Sequence, residues 1–302
     1  MTLELKALGR SHSLDGTPWL MGIVNATPDS FSDSGLHPSL DERLALAHEL
    51  AAAGARILDV GGESAVTNRP GVAADDEIAR VVPLVARIAA ELDVLISVDT
   101  HKPAVAAAAI GAGAAIVNDV SGLRDPAMAS LCARTGAALI VMHTRAAPKQ
   151  RLADPDLYED VLDDVMGFLS RRLALARSLG VADVQLIVDP GPDFTKTPAQ
   201  TVELLRGGAR LHEFGRPVLM ALSRKDFVGA LTGRAPRQRG AGTLAALGHG
   251  LDLGGHIFRV HDVAAAADYI AVRAALRGDT AVDRDLALPD TLRWEPPGQP
   301  VQ

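Results

Sequence analysis

Cysteine and aromatic residues are scarce in this sequence. A single cysteine, Cys132, excludes both a disulfide framework and a cysteine-based zinc site within one chain. Its neighbours are typical of a helix interior, where a free cysteine usually has a packing role. Aromatic residues make up only 3% of the 302 residues, so Ala, Val, Leu and Ile must form most of the core.

Long apolar segments and an excess of positive charge are also missing. Residues 1–10 contain no apolar core of signal-peptide length, and no uninterrupted apolar run is long enough to cross a membrane. We therefore expect a soluble, cytoplasmic protein with no membrane partner. The net charge of −7 argues against a nucleic-acid partner, which needs a broad basic face, but permits a few cations around one anionic ligand.

Eight short apolar runs alternate with Ala- and Leu-rich segments of helical spacing. This alternation predicts βαβ units and a parallel sheet, and eight such units predict a single (β/α)8 TIM barrel of the α/β class. A length of 302 residues fits one such barrel better than two average domains. The predicted strands are residues 20–24, 57–60, 95–98, 115–117, 138–142, 185–188, 218–221 and 257–260, and the clearest predicted helices are 40–54, 76–92, 103–113 and 158–180.

The two ends of the chain have their own patterns. Residues 3–19 contain Asp15-Gly16, a pair common in tight turns, so we predict an N-terminal hairpin that closes the bottom of the barrel. The barrel domain is predicted to span residues 1–279. Residues 280–302 are predicted to form a Pro-rich, charged and loosely ordered tail. Four glycines are predicted to end helices with a left-handed conformation, namely Gly54, Gly113, Gly136 and Gly180.

Polar residues follow all eight predicted strands. In this fold the C-terminal ends of the strands carry the active site. A single Asn or Asp there is usually a cap for the next helix, but eight ends with complementary carboxylate, amide and basic groups predict one shared site. The polar residues are Asn25, Asp59 with Glu63, Asp99, Asn118 with Asp119, His143, Asp189 with Lys196, Ser223 with Lys225, and Arg259 with His261.

The last strand and the first loop point to a phosphate-containing ligand. Arg259 and His261 lie two residues apart and share one face of the strand, which favours an anion site, with a helix-capping cluster as the alternative. The run from Thr27 to Asp33 predicts a mobile loop over the barrel mouth. Asn25 and Asp33 are candidate ligands of a magnesium ion carried by pyrophosphate, unless this run is an ordinary turn.

Seven motifs in combination resemble the dihydropteroate synthase family, from Met21 to about Val263. They are MGIVNATPDSFSD at 21–33, DVGGES at 59–64, SVDT at 97–100, NDV at 118–120, MH at 142–143, SRK at 223–225 and RVHDV at 259–263. The resemblance implies a pterin-binding TIM barrel that joins 6-hydroxymethyl-7,8-dihydropterin pyrophosphate to 4-aminobenzoate. The products would be 7,8-dihydropteroate and pyrophosphate. The resemblance also implies Mg²⁺ as the cofactor and a homodimer formed through barrel helices.

The resemblance also implies a role for each matched residue. Asp99, Lys225, Arg259 and His261 would be catalytic, with Asp99 stabilising a cation-like pterin methylene. The pterin, whose amide and amino edge suits carboxylates and amides, would contact Asp99, Asn118, Met142, Asp189, Phe194 and Lys225. Asn25, Arg259 and His261 would bind pyrophosphate, with magnesium at Asn25 and Asp33. The 4-aminobenzoate loops would contain Thr27, Pro28, Phe31, Arg69, Pro70, Ser223 and Asp226.

Three departures from the family pattern surround the expected 4-aminobenzoate pocket. The second loop is longer, with residues 65–68 before Arg69, which predicts weakened binding of sulfonamides, the mimics of 4-aminobenzoate. Asp193 and Thr195 replace two glycines after the sixth strand, which changes the backbone conformations allowed there. Asp226 stands where the family often has Ser, and it either repels the substrate carboxylate or turns outward at a helix N-terminus.

These departures leave a second function open. The chain is either a synthase or a pterin-binding paralogue that lacks synthase activity or uses a different acceptor; some actinobacterial-type paralogues share such changes. A cobalamin-dependent methyl-transfer barrel has a similar Asp and Asn pattern but should lack the motifs at 27–31 and 223–225. A metal-dependent hydrolase barrel would need several histidines at strand ends, where only His143 and His261 lie.

Overall fold

An N-terminal hairpin precedes the barrel in the computed structural model, which describes residues 3–14, 16–27, 39–64, 70–150 and 152–294. Strand β1 spans Glu4–Ala7 and β2 spans Arg10–Ser13, and the two pair antiparallel. The turn is Leu8-Gly9, with φ of 48° and 79°, the left-handed pair of a two-residue hairpin turn. The predicted hairpin is confirmed, but its turn is not at Asp15-Gly16. Gly16 lies beyond β2, in the connection to the barrel.

The hairpin covers the N-terminal end of the barrel. Leu5 and Ala7 alternate with exposed residues along β1 and are both buried. They belong to one apolar cluster with barrel residues that include Met21, Ile57 and Ile140. The burial of this face sets the register of β1 and leaves the opposite end of the barrel open for a ligand.

Eight parallel strands form the barrel, as predicted. They are β3 (Trp19–Asn25), β4 (Ala55–Gly61), β5 (Leu95–Asp99), β6 (Ile116–Asp119), β7 (Ala138–Met142), β8 (Leu186–Asp189), β9 (Leu219–Met220) and β10 (Ile257–Val260). Their order is β8-β7-β6-β5-β4-β3-β10-β9. A parallel bridge between Val188 and Val218 joins β8 to the start of β9, so the sheet closes on itself.

Helices alternate with the barrel strands along the chain. They are α1 (Leu40–Ala52), α2 (Ala74–Glu91), α3 (Pro103–Gly111), α4 (Pro126–Thr135), α5 (Val161–Ser178), α6 (Pro198–Arg206), α7 (Asp226–Thr232), α8 (Gly240–Asp252) and α9 (Val263–Arg277). Short 3-10 turns occur at Asp183–Gln185, Gly208–Phe214, Pro236–Gln238 and Asp290–Leu292. The four glycines predicted to end helices all have positive φ, at 102°, 120°, 77° and 94° for Gly54, Gly113, Gly136 and Gly180.

The chain divides into two compact units, Met1–Ala267 and Asp268–Gln302. The second unit contains residues 268–277 of α9 and the 3-10 turn at Asp290–Leu292. Every described residue from 276 to 294 is exposed. The boundary at residue 279 and the loose order of the tail stay predictions, and Pro296-Pro297 lies outside the described residues. Among the described residues, none of the helices combines the length and apolar character that a membrane crossing requires.

Candidate active site

A network of two carboxylates and one guanidinium lies near the C-terminal ends of β4, β5 and β10. Asp59 Oδ2 accepts hydrogen bonds from Arg259 Nε at 2.7 Å and from Asn118 Nδ2 at 3.2 Å. Arg259 Nη2 donates to Asp99 Oδ2 at 3.0 Å, so one guanidinium links both carboxylates. Removal from water, followed by the charge of Asp59, raises the pKa of Asp99 to about 7, against the opposing effect of Arg259. The charge of Asp99 therefore responds to any cation brought beside it.

Several polar atoms beside this network have no partner within the described ranges. Asp59 Oδ1, Asn118 Oδ1 and Ser97 Oγ are buried without a hydrogen bond in the part of the chain that the structure describes. Ser97 lies two residues before Asp99 on β5, so the two share one face of the strand. Buried polar atoms without partners are costly, and a ligand that donates hydrogen bonds offsets this cost. The barrel mouth therefore suits a heterocycle with amino and amide N–H groups.

A second group of charges lies beyond the ends of β8 and β9. Asp189 is buried, its Oδ1 accepts from the Gly191 backbone N–H at 2.7 Å, and burial raises the pKa of its carboxyl. Lys225, directly before α7, holds its Nζ 4.4 Å from the centre of the Phe194 ring, in cation–π contact. Burial lowers the pKa of Lys225, while the charges of Asp193 and Asp189 act against this. The loops after β8 and β9 thus form one wall of the site.

The Lys196 amino group is buried within this wall. Its Nζ donates to His143 Nδ1 at 2.8 Å and to the carbonyls of Gly191 and Phe194 at 2.9 and 3.1 Å. Because the neutral His143 ring has one N–H and the Asp164 carboxylate only accepts, His143 donates from Nε2 to Asp164 Oδ2, 2.9 Å away, and accepts at Nδ1. Burial lowers the pKa of Lys196 to about 7 and that of His143 to about 4. These bonds hold the backbone that carries the Phe194 ring.

The cationic side chains of Arg224, Lys225 and Arg259 surround His261 where the loops after β9 and β10 meet. Ser223 Oγ lies 3.0 Å from His261 Nδ1 and accepts from the His261 backbone N–H at 3.3 Å. Burial, followed by the charges of Arg259, Arg224 and Lys225, lowers the pKa of His261 to about 4. An anion bound among these cations raises that pKa again and favours the protonated, donating imidazole. The arrangement therefore suits a phosphate group.

The second loop begins and ends at a partly buried ion-pair group. Lys102 Nζ lies 2.5 Å from Glu63 Oε2 and 2.5 Å from Glu77 Oε2. Glu63 Oε1 accepts from the Val72 backbone N–H at 3.3 Å, on the far side of the loop. A Cβ at Gly62 would come within 2.7 Å of the Glu77 side chain, so this position has room only for glycine. The loop ends are thus held against β4 and α2.

The remaining predicted site residues fall into two sets. Asn25 ends β3 half-buried, Met142 ends β7 buried, Thr27 is buried, and Pro70 is exposed. Among the described residues, no cluster of three His, Cys, Asp or Glu ligands occurs, so a magnesium site stays a prediction. The predicted residues outside the described ranges are Pro28, Phe31, Asp33 and Arg69, together with residues 65–68 and the sulfonamide prediction that rests on them.

Known proteins resemble this chain along most of its length. A family model described as pterin binding enzyme matches residues 21–261. Over 269 residues, the chain is 42% identical to the dihydropteroate synthase of Streptococcus pyogenes serotype M1, covering 87% of this chain and 97% of that protein. The chain belongs to the dihydropteroate synthase family.

Solved structures of dihydropteroate synthases have the same fold. The Xanthomonas albilineans enzyme with 4-aminobenzoic acid superposes with a TM-score of 0.85 at 41% identity, covering 92% of this chain and 99% of that one. The same enzyme in complex with 7,8-dihydropteroate gives a TM-score of 0.81 at 40% identity, covering 91% and 98%. The family indicated by the seven sequence motifs is therefore confirmed.

Asp226, one departure from the dihydropteroate synthase pattern, turns outward. It is the first residue of α7, its side chain is 77% exposed, and it pairs with Arg239 Nη1 at 3.0 Å. Arg239 Nη1 also donates to the carbonyls of Arg224 and Lys225 at 2.8 and 3.1 Å. Of the two alternatives for Asp226, the structure has the helix N-terminal one, with the carboxylate charge compensated by Arg239.

The two glycine replacements keep left-handed backbone conformations. Asp193 has a φ of 63° and Thr195 a φ of 55°, a region that β-branched residues rarely enter. The side chain of Thr195 compensates, since its Oγ1 accepts from the Arg145 backbone N–H at 3.1 Å and lies 3.0 Å from Tyr158 Oη. Loss of the glycines therefore restricts this loop without removing its left-handed turns.

Three charged residues of the site received no role from the sequence. Asp59, Lys196 and Glu77 are all buried and all carry hydrogen bonds that hold other site residues or loops. The sequence pattern that indicates such a role is an ionisable residue inside an otherwise apolar strand or on the buried face of a helix, where a charge requires a partner. The identity of that partner depends on tertiary contacts.

Proposed function

We propose that the protein is a dihydropteroate synthase, which joins 6-hydroxymethyl-7,8-dihydropterin pyrophosphate to 4-aminobenzoate. The observation that carries the proposal is the barrel mouth, where buried acceptors that lack a partner in the described part of the chain lie beside a cluster of cations. The first feature suits the N–H groups of a pterin, and the second suits a pyrophosphate. The related Xanthomonas albilineans structures, with 4-aminobenzoic acid and with 7,8-dihydropteroate, support the choice of acceptor and product.

The pterin ring would be held between two walls. Asn118 and Asp189, on β6 and β8, offer amide and carboxylate groups to its amide and amino edge. Lys225 donates to ring acceptors, and Phe194 and Met142 give apolar contacts. Because Asn118 Oδ1 is buried and has no partner among the described residues, an N–H of the ligand would satisfy it.

The reaction would exchange one bond at the pterin methylene. The bond from the methylene carbon to the pyrophosphate oxygen breaks, and its electron pair leaves with pyrophosphate. The amine nitrogen of 4-aminobenzoate forms the new bond and loses one proton. Positive charge builds at the methylene, where the Asp99 carboxylate stabilises it, while Arg259 and His261 compensate the charge of the leaving group.

A magnesium ion fits the chemistry of this site. Asn25 presents an amide oxygen at the end of β3, and Mg²⁺ commonly takes only one or two protein ligands beside phosphate oxygens and water. In this proposal Asn25 and Asp33 hold the ion. When bound, it supplies positive charge for the departing pyrophosphate.

The acceptor would lie outside the pterin, among the loops at the mouth. In this proposal Thr27, Pro28, Phe31, Arg69, Pro70 and Ser223 contact 4-aminobenzoate. Asp226 stays beside the pocket, with its charge compensated by Arg239. The proposal also includes a cytoplasmic location and a homodimer.

Product formation tests the proposal. Purified protein, dihydropterin pyrophosphate, 4-aminobenzoate and Mg²⁺ should yield dihydropteroate and pyrophosphate in equal amounts, and omission of 4-aminobenzoate should abolish dihydropteroate. Calorimetry with the pterin alone provides the second readout. Binding of the pterin without product would reject the synthase in favour of a pterin-binding paralogue.

A further inference from the structure

The first turn of α7 is capped from another loop. Lys225 occupies the N-cap position, and its own side chain makes no capping hydrogen bond. Instead, the Phe227 backbone N–H donates to Asp193 Oδ2, which lies 3.2 Å away in the loop that follows β8. A carboxylate at this position also interacts favourably with the helix dipole.

Asp193 is itself held firmly in that loop. Its Oδ1 accepts from Thr201 Oγ1 at 3.1 Å, and its backbone N–H donates to the same hydroxyl at 3.1 Å. Thr201 is fully buried on α6. The left-handed φ of 63° at Asp193 is therefore maintained by three hydrogen bonds, and the two that its carboxylate accepts have no counterpart in glycine.

These contacts connect the two partners of the cation–π pair. Phe194 follows Asp193 directly, and Lys225 lies two residues before Phe227, the residue that Asp193 caps. We propose that Asp193 is a positioning residue of the pterin site, whose carboxylate ties the Phe194 loop to α7 and keeps the Lys225 ammonium charged above the Phe194 ring. The inference rests on the proposed function for the statement that Lys225 binds the pterin.

The charge of Asp193 acts on the pKa of Lys225, and a role in packing alone would leave that pKa unchanged. Asp193 is the main group that opposes the lowering of the Lys225 pKa by burial. Its loss lowers that pKa further, so Lys225 deprotonates at a lower pH. The other charged or titratable groups around Lys225 are Asp189, Asp226, Arg259, Lys196 and His261.

Titration of Lys225 in the ligand-free protein tests the inference. The sequence has only five lysines, so Nζ and Cε signals can be assigned by NMR with a Lys225→Arg reference. Asp193→Asn keeps one oxygen for the Phe227 N–H and removes the charge, while its amide NH2 replaces the oxygen that accepts from Thr201 Oγ1. We expect it to lower the Lys225 pKa by about one unit. Thr195→Gly, the other replaced glycine of the same loop, is the matched control and should leave that pKa unchanged.

Kinetics give the second readout. The high-pH limb of kcat/KM should move to lower pH by the same amount in Asp193→Asn, with KM for the pterin substrate raised about tenfold and kcat less affected. An unchanged Lys225 pKa in Asp193→Asn would overturn the inference, as would an equal shift in Thr195→Gly. A lowered Lys225 pKa in a protein that binds no pterin would instead reject the proposed function and leave the link between Asp193 and Lys225 intact.

Discussion

At the residue scale, Asp99 is the side chain whose charge matters most to the proposed reaction. Asp99→Asn retains an oxygen that accepts from Arg259, so the fold and the pterin affinity should be largely kept. The negative charge beside the reacting methylene is lost, and we expect kcat to fall about 100-fold or more. Steady-state pyrophosphate release measures the effect.

Asp93→Asn is the matched control for Asp99→Asn. Asp93 is an exposed carboxylate just before β5, at the opposite end of the strand that Asp99 ends. The Asp93→Asn substitution should leave kcat unchanged. Turnover at the normal rate in Asp99→Asn would remove this carboxylate from the mechanism.

The partners of individual site residues were the part that sequence reasoning did not reach. The spacing of Arg259 and His261 indicated an anion site, and the structure does place them among other cations. It also shows Arg259 bound to Asp59 and Asp99, from strands that lie far away in the sequence. Such pairings depend on how the barrel closes, which local patterns do not encode.

At the element scale, strands were easier to predict than turns. The runs at 138–142 and 257–260 match β7 and β10 at both ends, and the other six barrel strands differ by no more than two residues at either end. A continuous apolar run bounded by polar residues is a strong signal for a buried parallel strand. The hairpin turn was misplaced because Leu8, at a φ of 48°, is not a residue type that marks such turns.

The hairpin should contribute to stability through its buried face. Leu5 is fully buried in the apolar cluster at the N-terminal end of the barrel, so Leu5→Ala leaves a cavity there. We expect the free energy of unfolding in urea to fall by roughly 3 kcal/mol. Lys6→Ala, the exposed neighbour on β1, is the control and should change it by less than about 0.5 kcal/mol. Equal effects of the two changes would show that the hairpin face is not part of the core.

At the scale of the whole molecule, apolar side chains on the last helix support the proposed homodimer. Val272 and Leu276 are 60% and 84% exposed, and they lie four residues apart on one face of α9. Exposed apolar residues clustered on one helix face are typical of an interface between subunits. A symmetric pair of chains would bury the same face twice, as closed dimers do.

The mass in solution tests this interface. Light scattering should give twice the 31.5 kDa of one chain, and Val272→Glu with Leu276→Glu should give a monomer because paired interface charges repel. Leu286→Glu adds the same charge at another exposed apolar residue, outside α9, and should leave the dimer intact. The site residues described above all come from Met1–Ala267 of one chain, so the monomeric variant should retain pterin binding. A monomeric wild-type protein, or a double variant that remains dimeric, would exclude α9 as the interface.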